Sequence, residues 1–194
     1  MEKKQKGFTL IELLVVVSII AILAVFVILT LNPAQMLKQA RDSQRISDMS
    51  TLKSAISLYL QDVSTPSIGS SSVCYGSALL TPSTAGCGGR MSTGDITVTT
   101  STSAASSTGI TGTGWIPINF SAIASGAPIG TEPVDPVNNI TYFYSYAASS
   151  TSFQFEVDAH MESTKYAASG TADVESNDGG SNNSVYEVGT NLFL

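Results

Sequence analysis

The first third of the chain consists of an apolar segment followed by an amphipathic one. Residues 8–31 contain a single charged side chain, Glu12, and 18 of these 24 residues are Leu, Ile, Val or Phe. As a helix the segment would be about 36 Å long, enough to cross a hydrocarbon core of about 30 Å. Its many β-branched residues would favour a strand in water, but in lipid a helix is required because it satisfies every backbone group internally.

Glu12 does not prevent this segment from entering a membrane. One acid at a helix centre costs about 2.5 to 3.5 kcal/mol, whereas the apolar residues together favour insertion by roughly 5 to 11 kcal/mol. Lys3, Lys4 and Lys6 precede the segment and predict an N-terminus in the cytoplasm, with the rest of the chain outside. A cleaved secretory signal is a rival interpretation, but the apolar run is long for one. A buried helix of a cytosolic protein is another.

Residues 32–65 show the periodicity of a helix with one apolar face. Apolar side chains recur there every three or four positions, which predicts a face that packs on a sheet. They are Ile46, Met49, Leu52, Ile56, Tyr59 and Leu60. Asp42 and Arg45 fall on the predicted polar side, and Pro66 ends the helical region.

The remainder, residues 66–194, is predicted to be a globular head rich in strands. Residues 140–147 and 153–158 alternate between apolar and polar side chains and predict a hairpin, and residues 185–188 predict a last strand. Residues 115–120 contain Pro117, which favours an edge or irregular strand. Residues 97–114 are almost all Ser, Thr, Gly and Ala. They predict an exposed surface loop, with sugar attachment or partner contact as alternatives. The fold class is therefore α+β.

Charge and cysteine content narrow the classes of function. Of the 194 residues, those up to Thr65 include seven Lys or Arg and five Asp or Glu, whereas those beyond include two and ten. An acidic distal part argues against nucleic-acid binding. If that part lies outside the cytoplasm, Cys74 and Cys87 are expected to form a disulfide; two unpaired thiols are the alternative. Two thiols and a distant His160 do not make a zinc site.

The N-terminal residues resemble a known family signal. The heptapeptide KGFTLIE at residues 6–12, with a basic leader before it and an apolar helix after it, resembles the signal of type IV prepilins and type II secretion pseudopilins. The stretch ARDSQRISDMSTLKSAISLYLQD at residues 40–62 is similar to the second half of the helix in pseudopilin-G-like proteins. The resemblance covers residues 1–62. It departs from the family pattern at Pro33, because many relatives carry this proline within the apolar helix.

The resemblance implies a fold, a processing step and assembly into a filament. The fold would be that of pilins, a long N-terminal helix packed on a small antiparallel sheet. A prepilin peptidase and methyltransferase would remove the leader, residues 1–7, by cutting between Gly7 and Phe8, and would methylate the Phe8 amine. Glu12 would then pair with the Phe8 amine of a neighbouring subunit. The partners would be an inner-membrane assembly platform and further copies in a helical filament, first in the cytoplasmic membrane and then at the cell surface.

An acidic stretch near the C-terminus suggests a further site. Asp173, Glu175 and Asp178 precede two glycines, and some pseudopilins bind calcium in a comparable region. An acidic, solvated turn is the alternative, with no cofactor at all. No nucleophile motif, phosphate loop or metal cluster points to an enzyme. The sequence predicts a structural filament subunit, with a single-span, membrane-anchored binding or receptor protein as the alternative.

Overall fold

A computed structural model describes residues 7–78, 86–91, 97–103 and 107–194. The leader before Gly7 lies outside the described residues, as does part of the Ser/Thr-rich segment. The chain forms two compact units, the first ending at Leu37 and the second comprising Lys38–Leu194. Two long helices, α1 (Leu10–Leu31) and α2 (Pro33–Asp62), come first, and a five-stranded sheet follows. The α+β class predicted from the sequence is confirmed, and it matches the pilin fold.

Asn32 separates the two helices. The residue before a proline is disfavoured in the right-handed helical region, and Asn32 instead has φ 42° and ψ 73° in the left-handed region. Pro33 occupies the first position of α2, where its missing N–H costs nothing. The Asn32 carbonyl accepts hydrogen bonds from the N–H groups of Gln35 and Met36, at 2.9 and 3.3 Å. The interruption is thus a defined cap between the two helices.

The sheet has the strand order β2-β1-β3-β4-β5. The strands are β1 (Val73–Gly76), β2 (Thr100–Ser103), β3 (Tyr144–Ser149), β4 (Gln154–Ala159) and β5 (Tyr186–Gly189). Neighbouring strands are antiparallel except for β1 and β2, which pair in parallel. The sheet is therefore mixed rather than purely antiparallel. A parallel pair needs a long connection between its strands, and 23 residues separate Gly76 from Thr100.

The predicted apolar face of α2 packs on one face of this sheet. Met49, Leu52, Ile56 and Tyr59 are buried and share a core with the inward side chains of β3, β4 and β5. The strand residues of this core are Tyr144, Tyr146, Ala148, Phe155, Val157, Ala159 and Val188. The opposite face of the sheet carries a second, smaller cluster, which includes Phe143, Ala147 and Leu194. Both faces of the sheet are thus covered.

Two predictions about the connecting segments were wrong in detail. Residues 100–103 of the predicted surface loop form strand β2, and Ser101 is buried. Residues 115–120 form no strand, but Trp115, Ile116, Ile118 and Phe120 are buried in the main core, and a 3₁₀ helix follows at Phe120–Ala122. Short apolar runs with a proline do not distinguish a strand from an irregular segment that fills a core.

The predicted hairpin is confirmed with shorter strands. β3 and β4 pair from Tyr144 opposite Ala159 to Ser149 opposite Gln154. The first strand starts at Tyr144 rather than at residue 140. Phe153 lies in the turn, with φ 54° and its side chain 43% exposed, instead of at the start of β4. The predicted last strand is present as β5.

Candidate functional site

The helix that carries Glu12 begins with a side-chain cap. Thr9 precedes the first helical residue, and its hydroxyl oxygen accepts a hydrogen bond from the Glu12 N–H at 3.3 Å. Threonine at this position with a glutamate three residues later is the capping-box pattern. The carboxylate of Glu12 therefore lies in the first turn, where the helix dipole favours a negative charge. Glu12 thus has a local role at the start of the helix, and its role in assembly stays a prediction.

The described side chains of α1 are exposed. The exposed fraction of its large apolar residues runs from 45% at Val16 to 82% at Leu10. Its two hydroxyl groups within the apolar stretch turn back onto the helix: Ser18 donates to the Leu14 carbonyl at 2.8 Å and Thr30 to the Phe26 carbonyl at 2.7 Å. This leaves no hydroxyl donor unsatisfied in an apolar surrounding. By length and composition, Leu10–Ile28 is able to cross a membrane.

The predicted processing site lies just before the cap. Gly7 and Phe8 precede α1 and are exposed, the Phe8 side chain by 79%. Apart from its neighbours in the chain, no atom of the described residues lies within 4 Å of a Cβ atom built on Gly7. The chain itself therefore places no steric demand for glycine at this position. A requirement for glycine at position 7 would come from a protein that binds this part of the chain.

Comparison with known proteins places this segment in a class. Residues 3–28 match the family model described as the prokaryotic N-terminal methylation motif. The chain is therefore one that carries a type IV pilin-like prepilin signal. Together with the apolar N-terminal helix and the α+β fold, the match is consistent with the type IV pilin and pseudopilin family. No curated protein and no solved structure gives a significant match.

The motif also bears on the class of function and on location. Proteins with this motif are structural rather than enzymatic, and the prepilin signal implies a substrate of prepilin peptidase that assembles into filaments. The motif and the apolar helix indicate a membrane-anchored, surface-exposed protein.

In the head, Cys74 and Cys87 are joined by a disulfide, with their Cα atoms 5.8 Å apart. Cys74 belongs to β1, and Cys87 lies in the single helical turn Gly86–Gly89 with a left-handed φ of 52°. Both cysteines are fully buried in the second cluster, beside Phe143 and Leu194. The disulfide therefore holds this turn against the face of the sheet opposite α2.

The carboxylates proposed from the sequence as a calcium site are engaged elsewhere. Asp173 accepts the N–H groups of Ser169 and Ser176, at 2.7 and 3.0 Å. Glu175 is buried and accepts the Met161 N–H at 2.8 Å. These are the bonds of a folded acidic turn.

Asp178, the third of these carboxylates, binds away from the other two. It accepts the N–H groups of Gly180 and Glu187 at 2.9 and 2.7 Å, which ties it to the start of β5. Burial raises the pKa of Asp178. Asp173 and Glu175 thus bond to the adjacent N–H groups of Ser169 and Ala168, whereas Asp178 bonds to a separate segment of backbone.

Asp42 and Arg45 were predicted to lie on the polar side of α2, but both side chains are fully buried. The Arg45 guanidinium donates to both carboxylate oxygens of Asp135, to Asp42 at 2.7 Å and to Glu162 at 2.7 Å. Burial opposes the charge of Arg45, but its bonds to these carboxylates outweigh that effect and raise its pKa. The hydrogen bond from Arg41 lowers the pKa of Glu162. This network joins α2 to two loops of the head.

His160 is paired with an acid but lies in no evident catalytic arrangement. Its Nδ1 is 2.6 Å from the Ser184 carbonyl oxygen and 3.2 Å from a Glu175 oxygen, and its ring stacks on Tyr142. The hydrogen bond with Glu175 raises the pKa of His160. The pair links the loop after β4 to the segment before β5, which is a structural role.

Three other carboxylates come together on the sheet. Among the described residues, Glu156, Asp158 and Glu187 each offer an oxygen, and these oxygens all lie within 4.8 Å of one another. All three side chains are buried. The sequence did not predict this cluster. Glu187 is distant from Asp158 along the chain, and the two residues meet only because their strands pair.

Proposed function

We propose that this chain is the structural subunit of a type IV pilus or of a type II secretion pseudopilus-like filament. The observation that carries the proposal is the methylation motif at residues 3–28, which coincides with an exposed apolar helix that has an acid in its first turn. An ordinary membrane anchor requires neither a Gly7-Phe8 junction nor Glu12. The side chains of α1 would be covered first by lipid and later by the helices of neighbouring subunits.

Cleavage after Gly7 would create a new charge close to Glu12. The Phe8 ammonium would then lie just before the Thr9 cap, at the positive end of the helix dipole. An ammonium there is unfavourable in an apolar surrounding unless a carboxylate neutralises it. The Glu12 carboxylate of a neighbour shifted along the filament axis would do so. Each subunit would both give and receive this contact, and a head-to-tail contact of this kind propagates as a helix.

The proposal is tested by isolating surface filaments from cells that express this chain. Surface material sheared from cells should contain filaments by electron microscopy, and intact-mass analysis of their main component should give a chain that starts at N-methylated Phe8. Assembled material that retains residues 1–7 would contradict the proposal. It would favour the alternative of a single-span anchored binding or receptor protein.

The role of Glu12 is tested by two matched variants. Glu12→Gln removes the charge but keeps the Thr9 cap, and it should leave insertion and cleavage intact while it sharply reduces filament yield. Thr9→Ala removes the cap, at about 1 kcal/mol of helix stability, but keeps the carboxylate, and it should still assemble. Normal filaments from Glu12→Gln, as the only copy in the cell, would rule out the assembly role. Equal losses in both variants would show that the loss of filaments is not specific to the Glu12 charge.

A further inference from the structure

We propose that Glu156, Asp158 and Glu187 form a binding site for a divalent cation that prefers oxygen ligands, with calcium as the best fit. The site lies on the face of the sheet opposite α2. Its three ligands differ from the acids of the turn at Asp173 and Asp178, although Asp178 accepts the backbone N–H of Glu187. The inference does not depend on the proposed filament function.

Strand geometry brings the three acids together. Glu156 and Asp158 are two residues apart on β4, so their side chains share one face of the sheet. Glu187 lies directly opposite Asp158 on the antiparallel neighbour β5. Like charges directly opposite each other in a sheet are destabilising. The pairing register therefore concentrates three acids where the fold would ordinarily avoid them.

Burial makes the arrangement costly. Glu156 and Asp158 are fully buried and Glu187 is 2% exposed. Within the described part of the chain, none of the three forms an ion pair with a basic side chain. Arg90 attracts Asp158 electrostatically, but its guanidinium donates to the carbonyl oxygens of Phe143 and Thr141, at 2.6 and 2.5 Å. Among the described residues, Arg90 therefore supplies one positive charge near three acidic side chains.

Two oxygens of the cluster have no hydrogen-bond partner among the described residues. They are Oε1 of Glu156 and Oδ1 of Asp158, each on a fully buried side chain. The other oxygen of Glu156 accepts the Leu194 N–H at 2.8 Å, and that of Asp158 accepts the Ser145 hydroxyl at 3.4 Å. An unpaired buried acceptor is unfavourable, and most buried polar groups in proteins are paired. These oxygens are available to a ligand.

The surroundings of these oxygens call for a positive species. Asp158 and Glu187, the two acids that share the cluster with Glu156, are acceptors like Glu156 itself. Acceptors in contact need a proton or a cation between them. A proton joins two oxygens about 2.5 to 2.7 Å apart, whereas one cation joins three. Because an oxygen from each of the three acids lies within 4.8 Å of the others, a single ion can contact all of them.

The ligand chemistry selects the class of ion. A set of carboxylate oxygens without nitrogen or sulfur favours calcium, magnesium or manganese over zinc or copper. Calcium–oxygen distances of about 2.3 to 2.6 Å allow oxygens across the ion to lie about 4.6 to 5.2 Å apart, and calcium accepts irregular geometry and bidentate glutamates. Magnesium requires a near-ideal octahedron, in which adjacent oxygens lie about 2.9 Å apart and opposite ones about 4.0 to 4.2 Å apart, and it usually keeps several waters. Three carboxylates fixed by a sheet suit calcium better.

The ion would enter as the head folds. The turn held by the disulfide and the C-terminal Leu194 belong to the cluster that covers this face, and Leu194 bonds directly to Glu156. Binding that is coupled to folding raises the free energy of unfolding with the logarithm of the ligand concentration, once that concentration exceeds the Kd. The experiment must therefore include refolding in the presence and absence of the ion.

The test uses the full chain in detergent with its disulfide intact. The protein is refolded in EDTA and, separately, in calcium, magnesium or manganese chloride. The first sample is dialysed and titrated calorimetrically with each of the three chlorides. The other samples are dialysed, and the metal that each retains is measured by atomic absorption. We expect one calcium per chain, weaker magnesium binding, and a melting temperature that rises with calcium concentration. Absence of binding of all three ions to wild type would overturn the proposal. It would leave shared protons as the means by which the cluster is neutralised.

The location is tested by matched variants. Glu156→Gln and Asp158→Asn should each weaken calcium binding at least about tenfold, because each removes a charged ligand. Asp173→Asn and Asp173→Ala, in the acidic turn, should bind as wild type, because the bonds of Asp173 run to Ser169 and Ser176. Glu187→Gln provides a second test if the first two fail to fold, since its amide oxygen can still accept one of the N–H groups of Ser181 and Asn182, which bond to different oxygens of Glu187. Loss of binding in the turn variants alone would place the ion in the turn and overturn this assignment.

Discussion

Arg45 and Asp135 form a bidentate ion pair in the interior, with Nε of Arg45 2.6 Å from Oδ2 of Asp135 and Nη2 2.9 Å from Oδ1. Neither side chain is exposed to solvent. Asp135 also accepts the N–H groups of Val137 and Asn138, so it organises its own loop while it holds α2. Removal of the guanidinium would leave Asp42 and Asp135 buried without their countercharge.

Arg45→Met should therefore destabilise the head by roughly 3 to 5 kcal/mol, because removing one partner of a buried pair strands the other charge. The measurement is urea unfolding of the full chain in detergent, followed by tyrosine and tryptophan signals. Arg41→Met is the matched control. Its side chain is 34% exposed and contacts Glu162 at the edge of the same network, so it should cost about 1 kcal/mol or less. Similar losses in both variants would contradict the central role of Arg45.

Glu132 should make stability fall as the pH rises. Burial raises the pKa of Glu132 from 4.5 to about 8, and its Oε1 has no partner among the described residues. The folded state then binds more protons than the unfolded state between these values. The free energy of unfolding should decline across this window, by at most about 1.4 kcal/mol per pH unit from this group.

The check is a comparison of wild type with Glu132→Gln. The amide oxygen can still accept the Ile116 N–H, which is 3.0 Å from Glu132 Oε2. The variant should lose stability less steeply than wild type from pH 4.5 to 8. The difference between the two curves gives the contribution of Glu132 to the pH dependence of stability, apart from that of the other buried acids. Parallel curves would show that Glu132 does not take up its proton on folding.

The disulfide between Cys74 and Cys87 should stabilise the head by about 3 kcal/mol on the chain-entropy model, since its partners are 13 residues apart. Alkylation under native, non-reducing conditions should label neither thiol. The double variant Cys74→Ala/Cys87→Ala should unfold at lower urea concentration, and reduction should lower wild type to a similar midpoint but leave the variant unchanged. Ready labelling of both cysteines would contradict the pairing.

Gly7→Leu should block processing without disturbing the chain. A side chain at this position would meet nothing within 4 Å, so folding of the head should be unchanged. Precursor should accumulate in the membrane, as seen by a mass that still includes residues 1–7. Gly126→Leu, at another exposed glycine with open space around it but with φ 94°, is a control that should be cleaved normally. Normal cleavage of Gly7→Leu would show that the junction tolerates bulk.

Local patterns were enough to predict much of the architecture. The apolar helix, the buried face of α2 and the β3–β4 hairpin each depend on side-chain periodicity within a short window. The same is true of the KGFTLIE motif, whose signal is contiguous in sequence. Glu12 was identified from this motif, although its contact with Thr9 was not. That contact also has a local signature, since threonine and glutamate stand three residues apart.

Contacts between distant residues were decided only by the tertiary structure. Arg45 lies on a polar stretch of α2, and nothing near it in sequence indicates that Asp135 and Glu162 bury it. By composition, Thr100–Ser103 resembles a surface loop. Its parallel pairing with β1 is apparent only in the folded structure. Glu156 and Asp158 alternate with apolar residues like the solvent side of a strand, but the disulfide-held turn and the C-terminus cover that side. Burial and charge pairing depend on which segments meet, and strand register, not local composition, sets Glu187 opposite Asp158.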